Sequence, residues 1–307
     1  MSKTPFASLA GLLVLHAIAC GGGDAASPDR RLLVVTTTGI VGDMARRIAG
    51  GDAEVVSLMG PGVDPHLYKA SESDVRRLAE ADLILYNGLH LEGKMGDILV
   101  KMARSRPVVA VTETIPDDRL REPPEFAGQY DPHVWFDVDL WSSTIAPIVD
   151  ALGELAPERA TSFRDNGDRL RDELRELDSW IERRIGELPE ERRILVTAHD
   201  AFGYFGRRYG MRVVGLQGIS TLDEAGLKDV DRVVDLVVGE RVSAIFVESS
   251  VPRRSIEAVQ AAAAERGHRV AIGAELYSDA LGAGGTPAGT YIGMVRHNVD
   301  SIVQALQ

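Results

Sequence analysis

Short β-branched runs alternate with helical stretches along most of this chain, and that rhythm admits few folds. "LLVVTTTGI" (Leu32 to Ile40), "AEVVSLM" (Ala53 to Met59), "DLILYNG" (Asp82 to Gly88) and "PVVAVTE" (Pro107 to Glu113) read as strands. Helical patterns at "VGDMARRIAG", around Ser71 to Glu80 and at Gly93 to Ala103 separate them. Strand, helix, strand in this order predicts a parallel sheet covered on both faces. Thr114 to Asp131, rich in proline and charge with no apolar period, reads as a long loop. Two helical patterns follow, Asp139 to Leu155 and Pro157 to Glu187. In the second, Phe163, Leu170, Leu174, Leu177, Ile181 and Ile185 fall on one helical stripe, with Pro157 at a tolerated first-turn position and Pro189 just past the end. Such a helix would be ~45 Å long at about 1.5 Å per residue, enough to run beside two lobes. Alternation then resumes, with strand candidates Arg193 to His199, Arg212 to Gly218, Ser243 to Ser249 and Arg269 to Leu276, and helices at Ala201 to Tyr209, Asp223 to Gly239, Ser255 to Arg266 and Thr290 to Leu306. The expected fold class is α/β: two lobes, residues 32–155 and 189–307, each with a parallel sheet flanked by helices, joined by one long rigid helix at 156–188.

Composition narrows the partners. With 307 residues, 45% of them hydrophobic, the chain has core enough for two lobes. Its net charge of −12 excludes nucleic acid as an expected partner, since phosphate binding requires a basic face. Cys20 is the one cysteine, so neither an internal disulfide nor a thiolate-rich zinc site can form. Residues 1–19 carry Lys3 and a short apolar run from Leu9 to Leu15, the pattern of a removable export signal. "AIAC" is similar to a bacterial lipobox, with Ala17 where leucine is commoner, and makes Cys20 the expected lipid-bearing first residue of the mature chain. Residues 20–31, with "GGGDAASPD", read as a flexible tether. The expected location is periplasmic or at the cell surface, anchored to the membrane through Cys20. No second segment is apolar enough to span a bilayer.

Seven histidines carry the candidate chemistry. His16 falls in the signal, His268 in a polar turn, His297 inside the last helix, and His90 after a strand in "NGLHLEG", where a structural role is favoured. His66, His133 and His199 lie after strands or in connecting loops, where open α/β sheets place ligands. Asp-Pro-His occurs twice, at Asp64 to His66 and Asp131 to His133, and the proline narrows the backbone freedom lost on holding a ligand. Asp279, after the last strand candidate, reads by itself as a cap or turn carboxylate.

Six ordered motifs, "GVDPHLYKAS", "NGLHLE", "DPHVWFD", "AHDAFGYFGRRYG", "LYSDALG" and "GTPAGTYIGMVRHNVDSIVQAL", together resemble the cluster 9 metal-receptor lipoproteins, the solute-binding subunits of bacterial ABC importers for zinc and manganese. The likeness runs from Leu32 to the C-terminus. It implies a metal in the cleft between two lobes, held by His66 and His133 from the first and His199 and Asp279 from the second. It also implies an ABC permease and its ATPase as partners, and a monomer that carries Zn2+ or Mn2+ as transported ligand and is no enzyme. Asp200 is then the expected N-cap of the helix after His199. The resemblance leaves the cargo open between the two metals: Thr114 to Tyr130 has no histidine, unlike the His-rich loop of many zinc receptors, and His199 stands where many manganese receptors carry glutamate. Imidazoles favour zinc. Two other functions fit a secreted metalloprotein. One is a zinc-dependent hydrolase using Asp200 or Glu248 as base, although "HExxH", "GxSxG" and "GxxxxGK[ST]" are absent. The other is an adhesion lipoprotein with a structural metal.

Overall fold

The computed structural model describes Met1, residues 31–126 and residues 128–307. The expected export signal beyond Met1, Cys20 and the expected tether up to residue 30 lie outside these residues. Among the described residues no helix is long and apolar enough to cross a membrane.

The first half folds as β1 (Leu32–Thr36), α1 (Gly39–Ala49), β2 (Ala53–Ser57), α2 (Glu72–Glu80), β3 (Leu83–Tyr86), α3 (Gly96–Met102) and β4 (Val108–Ala110). All pairings are parallel and the sheet order is β2-β1-β3-β4, so the chain moves out on one side of β1 and returns to the other. Local chemistry sets the helix starts. Thr38 caps α1 by accepting from Val41 N–H, and Ser71 with Asp74 closes a reciprocal capping box on α2. The proline-rich segment after β4 is mostly irregular, with two short 3-10 turns.

The helical pattern after that loop is broken into α4 (Val138–Ser142) and α5 (Ile145–Leu155), where one stretch was expected. A 3-10 turn at Pro157–Arg159 then leads into α6 (Ala160–Gly186), 27 residues and so ~40 Å long. The six residues of its apolar stripe are all buried. Against them packs one continuous core that includes Trp135, Trp141 and Ile148 from the first half and Phe202, Tyr204, Tyr291 and Val299 from the second. The long helix therefore runs along a shared interior, and its two ends are not separate hydrophobic bodies.

The second half continues with β5 (Ile194–His199), α7 (Gly203–Tyr209), β6 (Arg212–Gln217), α8 (Leu227–Gly239), β7 (Ala244–Ile245), α9 (Arg254–Glu265), β8 (Ala271–Ile272) and α10 (Tyr291–Leu306). β5 pairs with β6 and β7 with β8, both in parallel. Phe246 N–H donates to Val196 O at 2.9 Å and bridges the two ladders, so the strands follow the same out-and-back order as the first sheet.

β7 and β8 are shorter than the apolar runs around them. A Cβ on Gly273 would sit 2.4 Å from the Phe246 ring, so glycine is what lets that ring lie against the chain just past β8. Beyond it, Gly273 N–H reaches Ile245 O and Leu276 N–H reaches Val247 O. Three steps on one side answer two on the other, the extra residue of a bulge, which re-aims the chain just before Asp279.

Candidate metal centre

Four side chains from four connections meet at the carboxyl ends of the two sheets. His66 lies in the loop after β2, His133 in the loop after β4, His199 ends β5, and Asp279 follows β8. His66 is 4% exposed, His133 and His199 are wholly buried, and Asp279 is 1% exposed. Nε2 of His133 is 3.3 Å from Nε2 of His66 and 3.4 Å from Nε2 of His199. Asp279 puts Oδ1 at 3.3 Å from His133 Nε2 and Oδ2 at 3.4 Å from His199 Nε2. One donor atom from each residue falls within 4.8 Å of all the others. These are the four residues that the family resemblance implied, and all four come together.

The repeated Asp-Pro-His tripeptide has a local explanation. In each copy the aspartate Oδ1 accepts the backbone N–H of the histidine two residues on, at 2.8 Å for Asp64 and 3.0 Å for Asp131, a turn that fixes the direction of the imidazole. Asp131 does more: the same oxygen lies 2.8 Å from His133 Nδ1. Arg121 forms an ion pair with its other oxygen, and Tyr204 donates to its carbonyl at 2.9 Å. Trp135 packs edge-on to the His133 ring at 5.2 Å and donates through Nε1 to Ser278 O at 3.0 Å, tying the His133 loop to the Asp279 segment.

Glu248 treats His199 as Asp131 treats His133. Its Oε1 accepts His199 N–H at 2.9 Å, and its Oε2 lies 2.5 Å from Nδ1, close but outside hydrogen-bond alignment. With carboxylates at both Nδ1 atoms, the Nε2 atoms of His133 and His199 are left to face each other and Asp279. Lone pairs aimed at one another in a buried space require a cation or a proton between them.

The titration behaviour follows from the same contacts. Burial alone would lower His133, but hydrogen bonds and charge from Asp131 and Asp279 prevail and raise it to about 9. Glu248 and Asp279 likewise outweigh burial and hold His199 well above 6.5. Asp279 is held far below the usual carboxylate range, because the charges and hydrogen bonds of His199 and His133 exceed the effect of its burial. His66 has no such carboxylate at its ring, and burial pushes it down to about 3, leaving a neutral imidazole.

Some expectations need correcting. Asp200 does not cap a helix: α7 begins at Gly203, and Phe202 stands at the cap position with no side-chain acceptor. Glu248, considered only as a general base, stands behind a histidine instead. His268 is held by Val242 O at 2.8 Å and His297 by Glu275 O at 2.9 Å, both away from the cluster. His90 is exposed on a turn with φ 62°. The ring-orienting role of Asp131 is not legible from its spacing, because Asp64 stands at the same spacing from His66 and takes only the backbone N–H.

Residues 34–305 match the family described as zinc-uptake complex component A, periplasmic. The zinc-binding protein TroA of Treponema pallidum is 49% identical over 296 residues, covering 96% of this chain and 95% of that protein. The manganese-binding lipoprotein MntA of Bacillus subtilis is 48% identical over 289 residues, 94% of each chain. The solved structure of the Treponema pallidum periplasmic zinc-binding protein superposes with a TM-score of 0.88 at 50% identity, covering 90% of this chain and 99% of that one.

Proposed function

This chain belongs to the periplasmic zinc-uptake complex component A family, and from that membership we propose that it is the exported solute-binding protein of an ABC importer, capturing zinc or manganese and delivering the ion to a membrane permease. His66, His133, His199 and Asp279 are the ligands in this proposal. The observation that carries it is the convergence of three buried Nε2 atoms and one carboxylate that has no aligned donor for Oδ1. A divalent cation satisfies all four at once. Behind them, the carboxylates of Asp131 and Glu248 add negative charge that offsets the ion, as outer partners of metal-bound histidines commonly do.

Transport suits this geometry better than hydrolysis. A hydrolytic zinc site keeps an open position and a free base, whereas here the ligand shell is buried and Glu248 is engaged by His199. Three imidazoles and the Irving–Williams order favour zinc over manganese. The rest of the proposal concerns the whole chain. Residues 1–19 are removed on export, Cys20 carries lipid, residues 20–31 act as a tether, and the linking helix at 156–188 keeps the lobes at 32–155 and 189–307 in fixed relation while a monomer docks on its permease.

Elemental analysis and competitive titration of the mature chain test the core of this. One ion per chain is expected, with zinc displacing manganese. His133→Ala should lower affinity by more than the roughly 10–100-fold typical of losing an outer partner. A chain that takes up no stoichiometric ion, or a variant that titrates like the parent, removes the proposal.

A further inference from the structure

His66 differs from the other two imidazoles in how it is held. His133 and His199 each have a carboxylate behind the ring, on Asp131 and Glu248. His66 is fixed through its backbone, by Asp64 Oδ1. The other oxygen of Asp64 accepts a hydrogen bond from Thr221 Oγ1 at 2.6 Å, across 157 residues of sequence and from one lobe to the other.

Thr221 lies between β6 and α8 and is 7% exposed, although Leu222, Asp223 and Glu224 beside it are all exposed. Its hydroxyl is turned inward from an outward-facing loop. The loop carrying His66 leans on the second lobe at another point as well: Gly62, at φ 71°, comes so close that a Cβ there would lie 3.3 Å from Ser249 O. Asp64, Leu67, Thr221 and Ser250 line a cleft of about 400 Å³, so this contact faces an opening lined by the loop that carries His66.

We infer that Asp64 and Thr221 form an interlobe latch, in which the 2.6 Å hydrogen bond holds the His66 loop against the second lobe and governs the rate at which the bound ion leaves. This rests on the ligand role proposed for His66. Asp64 and Thr221 are positioning residues: neither belongs to the four-residue cluster. While the latch is closed, Asp64 is held from both sides and the His66 backbone cannot turn away. When it opens, His66 leaves with its loop, whereas His133, His199 and Asp279 stay tied to their own partners.

The test is the dissociation rate of zinc from the full mature chain, chased with an excess of chelator, in the parent, Thr221→Val, Thr221→Ser, Asp64→Asn and the double variant Asp64→Asn/Thr221→Val. Valine keeps the shape of threonine without its hydroxyl, and release should accelerate on the order of tenfold, the scale of a hydrogen bond to a charged group. Serine restores the hydroxyl and should return the rate to near that of the parent. The double variant should release no faster than the faster single one, since Asp64 and Thr221 are the two ends of one bond, which can be lost only once. Release from Thr221→Val at the parent's rate, serine behaving like valine, or additive effects in the double variant would each overturn the latch while leaving the metal site standing. A parent chain that binds no zinc would overturn both.

Discussion

Asp131 and Glu248 show how much of this site depends on residues that touch no ligand position. Each directs a histidine by taking its backbone N–H and standing at its Nδ1, so that Nε2 faces inward. A carboxylate has an oxygen for each task in Glu248. Glutamine has one acceptor, so Glu248→Gln must give up either the backbone bond or the ring contact, with little change in shape. We expect zinc affinity to fall about 10–100-fold with the fold retained, measured by competitive titration alongside circular dichroism. Unchanged affinity would mean that the ring is oriented by packing alone. At this scale the sequence was informative where partners are close in the chain. The Asp131 to His133 pair is visible as a tripeptide, whereas Glu248 lies 49 residues from His199 and nothing local joins them.

Strand and helix types could be read from the chain because burial imposes their periods on the sequence, but element ends could not. β7 and β8 stop where the Phe246 ring meets Gly273, and the bulge beyond them turns the chain toward Asp279. Neither event has a local signature, since each needs two distant segments in contact. The break between α4 and α5 was missed for a related reason: apolar spacing continues across it. Close helix packing leaves its own test. Gly167, in the first third of α6, lets α5 approach so closely that a Cβ would lie 2.9 Å from Val149 and 3.0 Å from Ile145. Gly167→Leu should therefore destabilise the chain by about 1–3 kcal/mol through overpacking, despite leucine's better helix propensity, as read from urea unfolding. Equal or greater stability would show that the α5–α6 contact can spread to admit a side chain.

For the molecule as a whole, the cluster links stability, pH and metal. The shared core contains none of the four candidate ligands, so a chelator-treated chain should stay folded, unlike a protein whose metal is structural. Its stability should then vary with pH in a defined way. His66 has a folded pKa of about 3 against an ordinary 6.5, so between those values the unfolded chain binds a proton that the folded chain does not. Stability rises with pH across that interval. Asp279, held low, acts in the same sense, since its contribution is present above 3.8 and lost as pH falls. His133, raised to about 9, has the opposite sign: the folded chain keeps its proton longer, so stability present below 6.5 is lost as pH climbs through 9. His199 adds to that loss at higher pH. The metal-free chain should therefore be most stable near pH 6.5, and zinc should bind more tightly as pH rises toward 9 because fewer protons must be displaced. Thermal unfolding in chelator at pH 5, 6.5 and 9, with zinc titrations at the last two, checks both. A metal-free stability that still climbs from pH 6.5 to 9 would contradict the raised His133 and His199.

By itself the sequence determined the α/β class and the long buried stripe of α6 and marked His66, His133 and His199 by their places after strands, because periodic burial and short motifs are written within a few neighbouring positions; Asp279 joined them only through the family resemblance. The tertiary structure alone decided which carboxylates stand behind His133 and His199, where β7 and β8 end, and that Asp64 reaches Thr221 across 157 residues of sequence. These are contacts between segments tens to hundreds of residues apart, and a pairing of that kind exists only once the folded backbone has brought its two sides together.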